Sequence, residues 1–180
     1  FMEKLGFKNH GNWTYYNKGN TVLLDSILGV KYIISKDSSY KKPYDLYFSD
    51  YEKQIYKNQY SLPLGFGVDK EIINLKFDSN KTNPFVNQTQ LIEHMSGKSF
   101  GNLFTSFEPI EISTENLSKA KLEDSIKYTK IEPNKDAYIS YKIKIPNNQN
   151  AYAYFSTDPT NPFKSSEIKE ASLLINDKPV

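Results

Sequence analysis

Asp25-Ser26-Ile27-Leu28-Gly29-Val30-Lys31-Tyr32-Ile33-Ile34-Ser35 holds two kinds of structure in one short stretch. Thr21 to Leu28 carries Val22, Leu23, Leu24, Ile27 and Leu28 in a near-helical period, and Gly29 stands where such a helix would close. Val30 to Ser35 is β-branched and aromatic almost without a break, which predicts a buried strand. A helix feeding a strand through one glycine makes the class α+β.

Toward the N-terminus, Phe1, Met2, Leu5 and Phe7 suit a short amphipathic helix ending at Gly6. Trp13-Thr14-Tyr15-Tyr16 reads as a short strand between two turns. Toward the C-terminus, Asp37 to Tyr51 is polar, Tyr-rich and contains Pro43, so it reads as a loop. Ile55-Tyr56-Lys57-Asn58 and Gly65-Phe66-Gly67-Val68 read as two strands around Leu62-Pro63. Lys70 to Leu75 suits a turn or short helix. Asn83-Pro84 is a helix entry, since Asn caps and Pro fits the first helical position. Phe85, Gln88, Leu91, Ile92 and Met95 follow at helical spacing, placing a helix near 84–96 that Gly97 closes.

After Thr105 the period changes to two. Ile110-Glu111-Ile112, Ile126 to Ile131 and Ala137 to Ile145 alternate, and Ala151 to Phe155 and Ser172 to Ile175 follow as further strands, the last with an Asn176-Asp177 turn. Such spacing predicts an antiparallel sheet of sandwich type. The expected organisation is a small mixed α/β segment over 1–105 with a Tyr-rich loop, then an antiparallel β-sandwich-like segment over 106–180. That second segment stops inside a strand, so the chain reads as an excised piece of a longer protein.

Composition narrows the chemistry. The 180 residues carry 23 basic and 21 acidic side chains, a net charge of +2, so no global field draws in a polyanion. Every basic residue is Lys, and nucleic-acid readers favour Arg for bidentate contacts, so nucleic acid is not expected as a partner. With no Cys, thiol catalysis and thiolate metal sites are excluded. No apolar run reaches the roughly 20 residues that span a bilayer. Apolar residues make up 38% of the chain and aromatics 14%, so rings supply much of the core and leave some over for the surface.

Few residues suggest catalysis. His10 and His94 are the only histidines, and no Gly-x-Ser-x-Gly elbow accompanies them. Asp45, Asp50 and Glu52 cluster near Tyr51, but among lysines that suit a solvated loop better than a glycosidase pair. Asp78, Asn80 and Asn83 match a calcium loop by residue type alone, without its Gly and terminal Glu. No catalytic residue, metal or cofactor is assigned. Four Asn sequons, Asn116-Leu117-Ser118 among them, are no more than an Asn-rich chain yields by chance.

Binding is better represented. Trp13 and Tyr15 share one strand face with Tyr16 opposite, and Tyr152 and Tyr154 share another. These five rings pack the sheets or, where exposed, stack on a sugar. Lys41, Lys42, Lys53 and Lys57 belong to a lysine-rich first half that suits contact with a polyanion.

Leu5-Gly6-Phe7 with Trp13 to Tyr16, Asp25 to Ser35, Tyr56-Lys57-Asn58 with Leu62-Pro63-Leu64-Gly65-Phe66, and Asn83-Pro84-Phe85 with Gln88 together resemble the YfhO family of bacterial polytopic membrane proteins. The match covers the family's extracytoplasmic portion through about residue 100, with weaker marks beyond. The resemblance implies a membrane glycosyltransferase that uses a lipid-linked sugar on the outer face of a Gram-positive cell and decorates lipoteichoic acid. Its catalytic carboxylate would lie between membrane helices this chain lacks, so the piece is expected to be inactive alone. The implied partners are the membrane-embedded part of the same protein and a teichoic-acid-like polymer or lipid-linked sugar. A free carbohydrate-binding module or adhesin and a purely structural scaffold remain alternatives.

Overall fold

The computed structural model describes residues 1–7, 19–36, 44–77, 83–121, 126–145 and 150–154, and the backbone alone of 8–10, 13–15, 174–175 and 178–179. The chain opens with a 3-10 turn over Met2–Leu5, closed by Gly6 at φ 103°. Strand β1 (Lys8–His10) pairs antiparallel with β2 (Trp13–Tyr15), Lys8 opposite Tyr15. Gly19 then crosses so close to Gly6 that a Cβ on it would sit 1.8 Å from the Gly6 carbonyl oxygen. Only a glycine fits that crossing.

Helix α1 (Val22–Ile27) starts at Thr21, whose hydroxyl accepts from the Leu24 N–H, and Gly29 ends it at φ 70°. The chain turns into β3 (Tyr32–Ser35). The helix–glycine–strand reading holds, but the strand is not buried throughout. Tyr32 and Ile34 face solvent because β3 is an edge strand covered on one side only.

The loop expected over 37–51 contains a strand, β4 (Tyr44–Ser49). It pairs antiparallel with β5 (Gln54–Asn58), which also pairs antiparallel with β3, so β5 is central in the order β3-β5-β4. Asp50 closes the hairpin by accepting from the N–H groups of Glu52 (2.9 Å) and Lys53 (2.7 Å). The strand expected over 65–68 does not form. The segment is a loop pinned by Leu62 N–H on Ser26 O (2.9 Å) and Asp69 N–H on Met95 O (2.8 Å). A 3-10 turn over Lys70–Asn74 follows, capped by Asp69. Helix α2 (Pro84–Ser96) has the expected ends: Asn83 accepts from Phe85 N–H, and Gly97 closes it at φ 65°.

The second half is antiparallel. Strand β6 (Glu111–Glu115) pairs with β9 (Tyr138–Lys142), and β7 (Leu117–Lys121) with β8 (Ile126–Lys130). Because β7 continues β6 and β8 precedes β9, the two ladders form one long ribbon, interrupted where residues 131–137 bulge out opposite Asn116. Asn116 sits at φ 52°, and its side chain fastens the bulge: Nδ2 donates to the carbonyls of Glu132, Lys135 and Asp136, and Oδ1 accepts from Glu132 N–H. That sequon asparagine is therefore a structural clamp. Beyond the bulge the hydroxyls of Tyr128 and Tyr141 meet at 2.9 Å, and burial, then Tyr128, raises the Tyr141 hydroxyl pKa. Residues 151–154, expected as a strand, form none. Strands β10 (Leu174–Ile175) and β11 (Lys178–Pro179) pair antiparallel around 176–177, which lie outside the described residues.

The α+β class is what the structure contains. Its core is Leu5, Phe7, Leu24 and Leu91, with Met2, Ile27, Ile72, Leu75, Phe77 and Met95 packed around them. Each fully buried aliphatic or aromatic side chain contributes about 2 kcal/mol. Beside this core lies a buried polar seam. Thr21 donates to Gln88 (2.7 Å), Gln88 to Leu5 O (2.7 Å), and Asn58 to Ser26 Oγ and Val30 O (3.2 Å each). Asn20 Nδ2 donates to both oxygens of the fully buried Asp25 (3.0 and 3.1 Å), and the Tyr44 hydroxyl donates to the same carboxylate. This seam joins α1 and α2 to the sheet.

Candidate binding face

The register of β3-β5-β4 separates its two faces. Tyr44, Tyr56 and Asn58 are buried on the side that meets α1. On the other side two rows cross all three strands. Tyr32 lies opposite Lys57, which lies opposite Asp45; Ile34 lies opposite Ile55, which lies opposite Phe48. Ile34 is 67% exposed and Phe48 53%.

Tyr47 joins them beside a break in the register. It is skipped between the pairs Leu46–Tyr56 and Phe48–Ile55, so β4 bulges there. Alternation from Asp45 puts Tyr47 on the same face, and the bulge re-aims Phe48 onto it as well, a side chain that strict alternation would send to the opposite face with Leu46. The Tyr47 ring lies 5.3 Å from that of Tyr32, tilted by 54°, and is 63% exposed. Lys31 Nζ approaches the Tyr32 ring at 5.8 Å, within cation–π range. Gln59 Nε2 donates to Asp45. The result is a shelf of tyrosine and phenylalanine rings, crossed by Lys57 and bordered by Lys31, Asp45 and Gln59. Rings offer faces to sugar C–H groups, a lysine offers a point charge to phosphate, and carboxylate and amide groups pair with hydroxyls.

The residues singled out in the sequence are scattered. Lys57 is in the middle of the shelf. Lys53 is at the hairpin tip, where the N–H groups of Glu52 and Lys53 hold the Asp50 pKa below its usual value. Tyr152 lies at a different place: its ring packs 6.4 Å from both Phe85 and Phe104, and its hydroxyl accepts from Val22 N–H at 3.1 Å. Burial raises the Tyr152 pKa, and burial followed by the Glu3 charge pushes Tyr154 up to about 12. Trp13 and Tyr15 are placed as backbone only, and Tyr16, Lys41 and Lys42 lie outside the described residues. Tyr32, Tyr47 and Phe48 were missed as surface rings. The signal for them was present: β-branched and aromatic residues at 32–34 and 44–48 flank a polar, Lys-rich connection, the grammar of paired strands.

His94 Nδ1 contacts Gln90 O within its own helix at 2.9 Å. Among the described residues no three His, Asp or Glu side chains gather as a metal site, and no helix is long and apolar enough to cross a membrane.

The model of one family, described as bacterial membrane protein YfhO, matches residues 1–180. The chain belongs to the YfhO family. Membership places this YfhO chain in the context of a bacterial membrane protein, as its marker segments imply. Neither a curated protein nor a solved structure matches it significantly. Those segments serve the YfhO fold directly: Asp25 and Ser26 build the seam, Asn58 ties β5 to it, and Gln88 ties α2 to Leu5.

Proposed function

We propose that this chain is an extracytoplasmic domain of a membrane glycosyltransferase, and that its β3-β5-β4 shelf holds a cell-envelope glycopolymer or a lipid-linked sugar near the membrane-embedded part of the same protein. A teichoic-acid-like polymer on a Gram-positive cell is the acceptor that the shelf's chemistry suits, because it combines a polyol-phosphate backbone with sugar side groups. The observation that carries the reading is the pair of cross-strand rows, which puts Lys57 between Tyr32 and Asp45 on a face where Tyr32, Ile34, Tyr47 and Phe48 are exposed. The chain supplies binding in this scheme, and the transfer chemistry belongs to membrane segments outside it.

The test is an NMR titration of the 180-residue chain with teichoic-acid fragments. Amides of Tyr32, Ile34, Tyr47, Phe48 and Lys57 should shift, and the shifts should weaken as salt screens Lys57. Tyr32→Ala and Lys57→Ala should each reduce affinity several-fold. An absence of shifts at millimolar fragment would leave a scaffold role and sink the binding role.

A further inference from the structure

Strand β9 has two edges and one partner. Among the described residues it pairs with β6 alone, so no strand lies along its other edge. An open edge is a template for another strand, and a two-stranded ribbon gains stability in water when further strands join it. The β9 edge contains no proline, and its register with β6 is unbroken from Tyr138 to Lys142. Tyr138 is 56% exposed and the Lys142 side chain 70%. Charge is the remaining guard on this edge, and the charges are arranged to match a copy of themselves.

The two ends of the strand carry opposite signs. At one end Asp136 accepts from the Tyr138 hydroxyl at 3.3 Å, and its charge, with a lesser contribution from Glu115, raises the Tyr138 pKa. At the other end Lys142 reaches Glu111 only at 3.9 Å, and Lys144 forms no ion pair among the described residues. Turned antiparallel about a two-fold axis at Ser140, this edge meets a second copy of itself in a favourable register. Ser140 faces Ser140 of the second copy, Ile139 faces its Tyr141, and Tyr138 faces its Lys142. Next on the same face as Tyr138, Asp136 faces Lys144 of the second copy. These are β-branched–aromatic, cation–ring and carboxylate–ammonium pairs, and each occurs twice by symmetry. The register also lengthens the apolar rows, since Ile112 and its partner Tyr141 continue into Ile139 and Thr114 of the second copy. The outer edge of β6 fails the same test: about Ser113 it would set Glu111 against Glu115, like charges directly opposite.

We propose that the β9 edge is a self-association surface, through which two copies of this chain join into one four-stranded sheet in the order β6-β9 of one copy, then β9-β6 of the other. This goes beyond the glycan reading and does not depend on it, since β9 and the β3-β5-β4 shelf share no residue.

Sedimentation velocity of the 180-residue chain tests it. A monomer–dimer equilibrium should appear at sub-millimolar concentration and weaken several-fold at about 0.5 M salt. Asp136→Lys and Lys144→Asp should each be monomeric, because like charges then meet across the axis. An equimolar mixture of the two should dimerise again, since each copy supplies the sign the other needs, and that recovery shows that both variants fold. The chain has no cysteine, so Ser140→Cys reads the register. Mild oxidation with copper–phenanthroline should link it into a disulfide dimer, while Ser113→Cys, on β6 opposite Ser140, should stay unlinked. A chain that stays monomeric at sub-millimolar concentration overturns the proposal and leaves the edge to a strand of another protein. Dimers that survive the single charge reversals, a mixture that stays monomeric, or linking of Ser113→Cys as readily as Ser140→Cys overturns it equally.

Discussion

Removing the hydroxyl of Tyr44 isolates what joins α1 to the sheet. The ring stays in Tyr44→Phe, so no cavity forms, and only the hydrogen bond to Asp25 is lost. Asp25 is fully buried and also accepts from Asn20 through both oxygens. A hydrogen bond to a charged group contributes about 1.5–3 kcal/mol, and a buried carboxylate deprived of one donor loses the desolvation compensation as well. Tyr44→Phe should therefore cost about 2–3 kcal/mol. Asp25→Asn should cost a similar amount, because the new NH2 group faces the donors of Asn20 or Tyr44. The two changes remove one shared interaction, so the double variant should be less destabilised than the sum by about 1–2 kcal/mol. Urea unfolding followed by circular dichroism reads these differences from the midpoints at constant slope. Single-variant losses below about 0.5 kcal/mol, or strict additivity, would show that the carboxylate does not carry the α1–sheet junction.

Other expectations follow from the backbone and from the tyrosines. Asn116→Ala should destabilise the ribbon by about 2 kcal/mol, combining the lost clamp bonds with a left-handed alanine, and Asn116→Gly should recover about 1 kcal/mol of that. Faster amide exchange confined to residues around 131–137 is the readout, and equal exchange in the two variants would refute the backbone part. Gly19→Ala should cost more than about 3 kcal/mol in thermal or urea unfolding, because its Cβ would collide with the Gly6 carbonyl. Gly65→Ala, in open space, should change stability by less than about 1 kcal/mol. Tyr154 keeps its proton to about 12 in the folded chain but releases it near pH 10 when unfolded. Its contribution is thus fully present below about pH 10 and is lost as pH rises toward 12. Ultraviolet titration of tyrosinate should show a late step to which the raised Tyr141 and Tyr152 also contribute, and Tyr154→Phe should reduce it by one tyrosine and soften the alkaline loss of stability.

The elements that could be read in advance are those that announce their own ends. Helix α2 lies between Asn83-Pro84 and Gly97, and α1 between Thr21 and Gly29, so capping chemistry marks both. Strand β4 was hidden because the bulge at Tyr47 breaks its alternation and because its partner β5 follows it in the chain. Strand β7 was hidden for another reason: Leu117-Ser118-Lys119-Ala120-Lys121 has no β-branched residue and becomes a strand by pairing with β8. Gly65 to Val68 has strand-like residues but finds no neighbouring strand. The shelf depends on which side of the sheet is covered. Tyr32, Ile33 and Ile34 read as one buried run, yet α1 covers only the face bearing Tyr56 and Asn58, and it does so through Asp25 and Ser26. A polar helix surface closing a sheet is a tertiary fact that local periodicity does not encode.

Phe104 precedes the β6–β9 ribbon and Tyr152 follows it, and their rings meet edge-on at 6.4 Å with Phe85 against both. The chain thus departs from the helical body and comes back through a single doorway. Among the described residues between them, the paired strands form an arm whose length is set by its number of cross-strand pairs. The reach of this arm can be extended or trimmed by whole cross-strand pairs near residues 121 and 126 while the hinge of three rings stays as it is. The body fixes where the arm is mounted, and evolution or design can then choose how far it extends.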